Sequence, residues 1–180
     1  PDELSELIKN RELEFPMVVK PDSSKIWTGS RWEETAVCLA YDVEDLKNAV
    51  SESLENPPVL LQRYFKGVGI GQEFLCREGK VILAFQHERI SEPDVSGGSS
   101  YRKSVSLHSH MLVASQKILS HLKWTGVVMI EYKWNRDTDK FILIEINGRF
   151  WGSLPLALVS GVDFPYQLYK LMITGHADAG

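Results

Sequence analysis

Two acidic residues, Glu131 and Glu145, lie in neighbouring segments that both have strand character. The segments, residues 127–134 and 140–147, are short and rich in β-branched or aromatic residues, and a polar stretch typical of a turn separates them. This pattern predicts an antiparallel hairpin. If its turn is centred on Thr138, Glu131 lies directly opposite Glu145, with Cβ atoms about 4.5–5.5 Å apart.

Side-chain alternation in the second strand separates an apolar face from a polar one. The expected apolar face holds Ile142, Ile144 and Ile146, and the expected polar face holds Glu145, Asn147 and Arg149. A register shift of one residue would send the two acids to opposite faces. Two opposed carboxylates destabilise a hairpin unless a shared proton or a divalent cation neutralises them. The amide oxygen of Asn147 favours the cation, because Mg²⁺ takes carboxylate, amide and phosphate oxygens as ligands.

Glu131, followed by Glu145-x-Asn147-x-Arg149 and a glycine-containing loop, resembles the metal-binding signature of the ATP-grasp ligases. This superfamily includes biotin carboxylase, carbamoyl-phosphate synthetase and D-alanine:D-alanine ligase. The resemblance implies that Glu131, Glu145 and Asn147 hold Mg²⁺, or Mn²⁺ in its place, against the phosphates of ATP. It also implies that Arg149 serves the reacting carboxylate or acyl phosphate. The alternative is a surface hairpin whose solvent-facing side is polar.

Two earlier segments resemble nucleotide-binding parts of the same superfamily. Residues 15–21, FPMVVKP, are similar to the strand whose lysine reaches a nucleotide phosphate, which assigns that role to Lys20. Outside this family a lone lysine at a strand end is normally a surface charge. Residues 59–65 are similar to the hinge segment against which adenine lies. The hinge residues assigned to the nucleotide are Gln62, Arg63, Tyr64 and Phe65, although many relatives have an acid where Gln62 stands.

Further candidates follow along the chain. Gly67, Gly69 and Gly71 do not have the spacing of a dinucleotide-binding loop and are interpreted as a mobile connector. By resemblance, Glu73 binds the ribose hydroxyls. Arg89 falls where biotin carboxylase has a phosphate-contacting lysine, and a guanidinium there offers a fork to carboxylate or phosphate; an exposed arginine at a strand end is the alternative.

The polar loop of residues 96–104 adds Arg102 and Lys103 as substrate-contact candidates. An earlier segment, residues 22–30, stands where the family has a glycine-rich loop over the phosphates, but it holds a single glycine.

Composition limits the remaining classes. The chain has 180 residues, 43% hydrophobic and 24% charged, which suits one globular domain or two small lobes. Its net charge of −4 argues against nucleic-acid binding, and no apolar run approaches the ~18 residues of a membrane span. Cys38 and Cys76 show no metal or disulfide pattern, so a cytoplasmic location is expected.

The expected fold class is α+β. The resemblance implies the ATP-grasp fold, with two α+β lobes whose antiparallel sheets enclose a nucleotide cleft. Residues 1–61 are expected to form the small N-terminal lobe, and residues 62–180 the C-terminal lobe with the metal site. The upstream domain of complete ATP-grasp enzymes has no counterpart here, so the chain is expected to be one part of a longer protein.

The function expected from the resemblance is the ATP-binding part of a carboxylate–amine ligase, similar to carbamoyl-phosphate synthase. Such an enzyme forms a C–N bond through an acyl phosphate, using Mg²⁺ and ATP. This part alone is expected to bind nucleotide weakly, if at all, and its inactivity is compatible with the assignment. Its expected partners are small carboxylate and amine substrates and the upstream domain of the same protein. Binding to nucleic acid or membrane is not expected. The assignment is compatible with a homodimer. The runner-up is a non-catalytic nucleotide-sensing domain of the same fold. A structural β-rich interaction module is favoured only if the two acids are separated.

Overall fold

The computed structural model describes most of the chain: residues 2–9, 13–23, 25–52, 58–91 and 101–178. The chain forms two compact units, one ending at Phe65 and the other beginning at Lys66. The expected lobe boundary lay after residue 61, and the assignment of functional lobes stays a prediction. Within the described residues, no helix is long and apolar enough to cross a membrane.

The first unit contains a three-stranded antiparallel sheet in the order β4-β1-β5. Its elements are α1 (Asp2–Lys9), β1 (Met17–Pro21), β2 (Lys25–Trp27), β3 (Trp32–Glu34), β4 (Cys38–Ala40), α2 (Val43–Glu52) and β5 (Val59–Arg63). The α2 helix begins where expected, because the Asp42 carboxylate accepts hydrogen bonds from the first-turn backbone N–H groups of Glu44 and Asp45. Its Leu46 is buried with Met17, Val19 and Ala40 in the core of this unit.

Strands β2 and β3 form a separate hairpin, and β2 lies inside residues 22–30, the segment expected to cover the phosphates. Trp27 and Trp32 are cross-strand partners in it, with ring centroids 5.6 Å apart. The segment is therefore more regular than its composition indicated, because cross-strand aromatic pairs stabilise a hairpin.

The second unit contains a five-stranded antiparallel sheet in the order β10-β9-β6-β7-β8. Its strands are β6 (Val68–Arg77), β7 (Lys80–Ser91), β8 (Tyr101–Ser104), β9 (Gly126–Asn135) and β10 (Lys140–Asn147). Its helices are α3 (Ser109–His121), α4 (Leu154–Val159) and α5 (Phe164–Thr174). These strands and helices confirm the α+β class.

The two faces of this sheet are covered by different helices. Met111 and Leu119 of α3 pack against one face, which we call the α3 face. Ala157 of α4 and two buried residues of α5, Phe164 and Leu171, pack against the other, the α4/α5 face. Alternation along a strand assigns its residues to the two faces in turn.

Two expectations about this unit were wrong. Gly69 and Gly71 are not in a connector but inside β6, where both are buried. Gly71 is needed there because a Cβ would lie 2.2 Å from Cε1 of the His87 ring. Arg102 and Lys103 are not in a loop but in β8, an edge strand of the sheet; residues 96–100 of the expected loop lie outside the described part of the chain.

Candidate active site

The β9–β10 hairpin places Glu131 directly opposite Glu145, as the sequence predicted. The route differs from the expectation, however. Near the turn, Lys140 pairs with Asn135 and Leu143 with Tyr132, and a bulge at Ile144 then shifts the register by one residue. Without this bulge, Glu145 would have left the face of Glu131, because each strand residue changes face in turn.

The bulge interrupts the alternation of side chains between the two faces of β10, so the expected apolar face was wrong. Ile142 lies opposite Lys133, whereas Ile146 lies opposite Ile130 on the α3 face. Ile142 and Ile146 therefore do not share a face, since an extra residue between them reverses the alternation.

Glu131 is the more buried of the two acids. Its side chain is 15% exposed, and its Oε2 accepts a 2.6 Å hydrogen bond from Nη2 of Arg89. Burial raises the pKa of Glu131; the Arg89 charge opposes that rise and the Glu145 charge adds to it. The two carboxylates are thus close enough to repel each other, and Arg89 offsets part of that repulsion.

The rest of the predicted signature adjoins this pair. The Asn147 amide donates a 2.7 Å hydrogen bond from Nδ2 to Oε1 of Glu145. Arg149 donates from Nη2 to Oδ1 of Asn147 at 3.4 Å and from Nη1 to the Phe150 carbonyl at 3.0 Å. The structure therefore joins Glu131, Glu145, Asn147, Arg149 and Arg89 in one continuous set of contacts.

The oxygen donors of this set fit a hard divalent cation. Two carboxylates on adjacent strands and one amide oxygen are the ligand types that Mg²⁺ takes, and the set leaves positions for phosphate oxygens. Among the described residues, no group of three or more His, Cys, Asp or Glu side chains could hold a metal. A site at Glu131, Glu145 and Asn147 would therefore depend on an amide and on oxygens supplied by a nucleotide.

Glu73 is placed differently from the expected ribose contact. It is fully buried on β6, and its Oε1 accepts a 2.6 Å hydrogen bond from Ser153 and lies 2.9 Å from Nδ1 of His87. This carboxylate has no exposed surface in the structure, so the arrangement does not favour a ribose contact, and that role stays a prediction.

Sequence reasoning missed His87, which lies near Glu131, and Ser153, which contacts His87 and Glu73. The His87 side chain is 1% exposed and lies over Gly71, and a positive charge on its ring lowers the pKa of Glu131. In the sheet, Gly71 pairs with Glu131 on one side and with His87 on the other. Alternation along β7 could have identified His87, because it stands two residues before Arg89.

The residues of segments 15–21 and 59–65 that the family resemblance assigned to the nucleotide lie in the first unit. Lys20 is half-buried in β1, opposite Leu60. Gln62 and Arg63 are exposed in β5, and Arg63 forms a 2.9 Å ion pair with Glu14. Tyr64 and Phe65 follow directly, and the Tyr64 N–H donates to the Pro16 carbonyl at 3.1 Å. Their nucleotide roles stay predictions.

Several solved structures have the same fold as this chain. L-amino acid ligase from Bacillus licheniformis aligns with a TM-score of 0.64 and 15% identity over 93% of this chain and 41% of its own. D-alanine–D-alanine ligase from Bacillus anthracis gives 0.62 and 19% over 93% and 55%. The biotin carboxylase domain of Hydrogenobacter thermophilus 2-oxoglutarate carboxylase, in complex with MgADP, ADP and bicarbonate, gives 0.62 and 16% over 87% and 36%. The chain thus has the ATP-grasp fold and spans little more than half, or less, of these relatives.

A family profile makes the assignment more specific. The chain belongs to the family described as ATP-grasp in the biosynthetic pathway with Ter operon, whose profile matches residues 55–179. The matched residues include the whole β9–β10 hairpin. No curated protein matches the chain.

Proposed function

We propose that this chain is the ATP-binding part of an ATP-dependent ligase that joins a carboxylate to an amine through an acyl phosphate. The observation that carries the proposal is the cross-strand pair of Glu131 and Glu145 with Asn147 beside it. Membership of an ATP-grasp family supports the use of ATP. The complexes of structural relatives with ATP and with MgADP support the choice of nucleotide and metal.

In this proposal Glu131, Glu145 and Asn147 hold Mg²⁺. The ion supplies positive charge against the negative charge that develops on the transferred phosphoryl group. The bulge at Ile144 keeps both acids on one face of the sheet, and the burial of Glu131 limits water around one of its ligating groups. A low local dielectric strengthens interactions between these carboxylates and any cation.

The arginines bind and orient anionic groups. Arg89 approaches Glu131 from β7, and Arg149 approaches Asn147 from the end of β10, so the acid pair has a guanidinium on each side. A guanidinium can hold a carboxylate or a phosphoryl group in a fixed orientation through two hydrogen bonds. Lys20 is proposed to contact a nucleotide phosphate, and Gln62, Arg63, Tyr64 and Phe65 to contact adenine. Glu73 is left out of this assignment because it is buried.

A hydroxylamine trap tests the reaction type. Protein containing this chain is incubated with ATP, Mg²⁺, hydroxylamine and a panel of amino acids and other carboxylates. We expect ADP and a hydroxamate to form in equal amounts with the correct carboxylate, because hydroxylamine intercepts an acyl phosphate. ADP release without hydroxamate would contradict the acyl phosphate, and Mg²⁺-dependent ATP binding without ADP release in any mixture would favour a nucleotide sensor.

A further inference from the structure

Two arginines face each other on the side of the sheet that carries the acid pair. Arg89 of β7 and Arg102 of β8 are direct cross-strand partners. Directly opposed residues share a face, with Cβ atoms about 4.5–5.5 Å apart. Arg89 bonds Glu131, and the Arg102 charge also lowers the pKa of Glu131, so both guanidiniums act on the same carboxylate.

These two cations have unequal partners. Arg89 is only 12% exposed and makes a 2.6 Å hydrogen bond to Glu131. Nε of Arg102 is buried and has no hydrogen-bond partner among the residues that the structure describes. Two like charges at opposed strand positions destabilise the pairing, and an unfilled buried donor adds a further cost. An anion between the guanidiniums would relieve both costs.

Another buried polar atom of this kind belongs to the neighbouring cross-strand pair. His87 pairs with Ser104, two residues along from the arginine pair, and its buried Nε2 has no hydrogen-bond partner in the described part of the chain. Its Nδ1 is engaged by the Glu73 carboxylate. Glu73 Oε2 and Trp151 Nε1 are also buried, and the described residues offer them no hydrogen-bond partner, so several polar atoms in this region lack one.

We propose that Arg102, together with Arg89, forms a binding site for the oxyanion group of a substrate, either a carboxylate or a phosphoryl group. The fork of a guanidinium matches both groups through paired N–H donors. This assignment adds Arg102 to the active-site residues and deepens the proposed function, on which it rests for the nature of the substrate. The edge position of β8 leaves this arginine on the rim of the sheet.

Anion titrations of matched variants test the proposal. The variants are Arg102→Ala, Arg102→Lys and, as the control, Lys103→Ala. Lys103, the other substrate-contact candidate of this segment, is the next residue of β8. The structure places it on the opposite face from Arg89 and Glu131, paired with Glu88, where its Nζ lies 3.4 Å from Oε1 of Glu88, so it is outside the proposed site. Each alanine variant therefore removes one positive charge from the same strand. Circular dichroism checks that all variants are folded.

The probes are inorganic phosphate, followed by ³¹P NMR, and ¹³C-labelled acetate, followed by ¹³C NMR. We expect Arg102→Ala to weaken binding of at least one probe by about tenfold, since a charge-assisted hydrogen bond is lost. Arg102→Lys should restore only part of the affinity because it keeps the charge without the fork. Lys103→Ala should bind like the wild type. The probe whose binding depends on Arg102 distinguishes a phosphoryl site from a carboxylate site.

The proposal is overturned if the wild type binds neither probe, or if Arg102→Ala and Lys103→Ala have the same effect. Mg²⁺-ATP binding is measured on the same samples. Loss of anion binding in Arg102→Ala, with no Mg²⁺-ATP binding in the wild type, would contradict the proposed function and leave the oxyanion site standing. Mg²⁺-ATP binding with no effect of Arg102→Ala on either probe would contradict the oxyanion site alone.

Discussion

Glu131 links the chemistry of the site to pH. Burial raises its pKa above the usual value of 4.5, and the Glu145 charge acts in the same direction. A proton competes with a cation for the carboxylate. We therefore expect Mg²⁺-dependent ATP affinity to fall as the pH is lowered, beginning above the pH at which an ordinary carboxyl group titrates. Calorimetric titrations between about pH 8 and about pH 4.5 would measure this effect.

The same shift gives the ligand-free protein the opposite slope. The folded state holds the Glu131 proton to a higher pH than the unfolded state, so the stability contributed by protonated Glu131 is lost as the pH rises through its folded pKa. Glu131→Gln should remove this component of the pH dependence of the free energy of unfolding.

The binding prediction has its own contradicting result. An Mg²⁺-dependent ATP affinity that stays constant down to the pH range in which an ordinary carboxyl group titrates would contradict the assignment of Glu131 as a ligand.

Cys76 gives an independent check on the second unit. It is fully buried in β6, and burial raises its pKa to about 12. Since the thiolate is the reactive form, we expect a thiol reagent to modify partly exposed Cys38 in the native protein and Cys76 only after unfolding. Mass spectrometry of peptides after timed alkylation would show the order. Equal rates at the two cysteines would contradict the packing of β6.

At the level of the elements, Gly71 is the position where the sheet accommodates a side chain from the next strand. A Cβ there would lie 2.2 Å from the His87 ring. We expect Gly71→Ala to lower the free energy of unfolding by about 1–3 kcal/mol, as overpacking does. Urea unfolding would measure the loss. Combining Gly71→Ala with His87→Ala should be less harmful than the sum of the two changes, because the clash is gone.

Strictly additive effects of these two changes would contradict the contact between Gly71 and His87. An appropriate control is Gly152→Ala, since a Cβ at Gly152 meets no atom of the described residues within 4 Å.

The β9–β10 hairpin shows how far the sequence alone could go. Strand composition and a polar turn were enough to predict two antiparallel strands. The opposition of Glu131 and Glu145, predicted from a turn centred on Thr138, is present only because a bulge shifts the register between the turn and the acids. The bulge at Ile144 was not predictable from strand composition. It lies where the register that begins at the turn, with Lys140 opposite Asn135, changes to the register that places Glu145 opposite Glu131. Asn135 accepts hydrogen bonds from the Asp137 and Thr138 N–H groups, and the strands pair from Asn135 and Lys140 onward.

Glu73 and His87 show the opposite limit. Resemblance to a family strand assigned Glu73 to ribose, but its environment depends on Ser153, which is 80 residues away in sequence. Local patterns contain no information about such a contact. His87 could have been placed on the face of Arg89 by alternation, but its position over Gly71 required the pairing of β6 with β7.

At the level of the whole molecule, each compact unit has its own sheet and core. The five-stranded sheet of the second unit is covered by α3 on one face and by α4 and α5 on the other. We therefore expect residues 66–178, produced alone, to fold cooperatively, because a domain with its own core can fold independently. Thermal unfolding followed by circular dichroism would measure this. A gradual, non-cooperative loss of signal would contradict it.

The most direct test of the account is metal-dependent nucleotide binding by Glu145→Gln. ATP is titrated into protein that contains this chain, as the wild type, as Glu145→Gln and as the control Asp137→Asn. Each titration is run with and without Mg²⁺, and binding is measured by calorimetry. Asp137 is an exposed acid in the turn of the same hairpin, so its replacement removes one charge away from the acid pair. We predict that Mg²⁺ tightens ATP binding to the wild type and to Asp137→Asn but not to Glu145→Gln. The same Mg²⁺ enhancement in Glu145→Gln as in the wild type would contradict the central claim that the opposed acids of β9 and β10 hold the metal of a nucleotide.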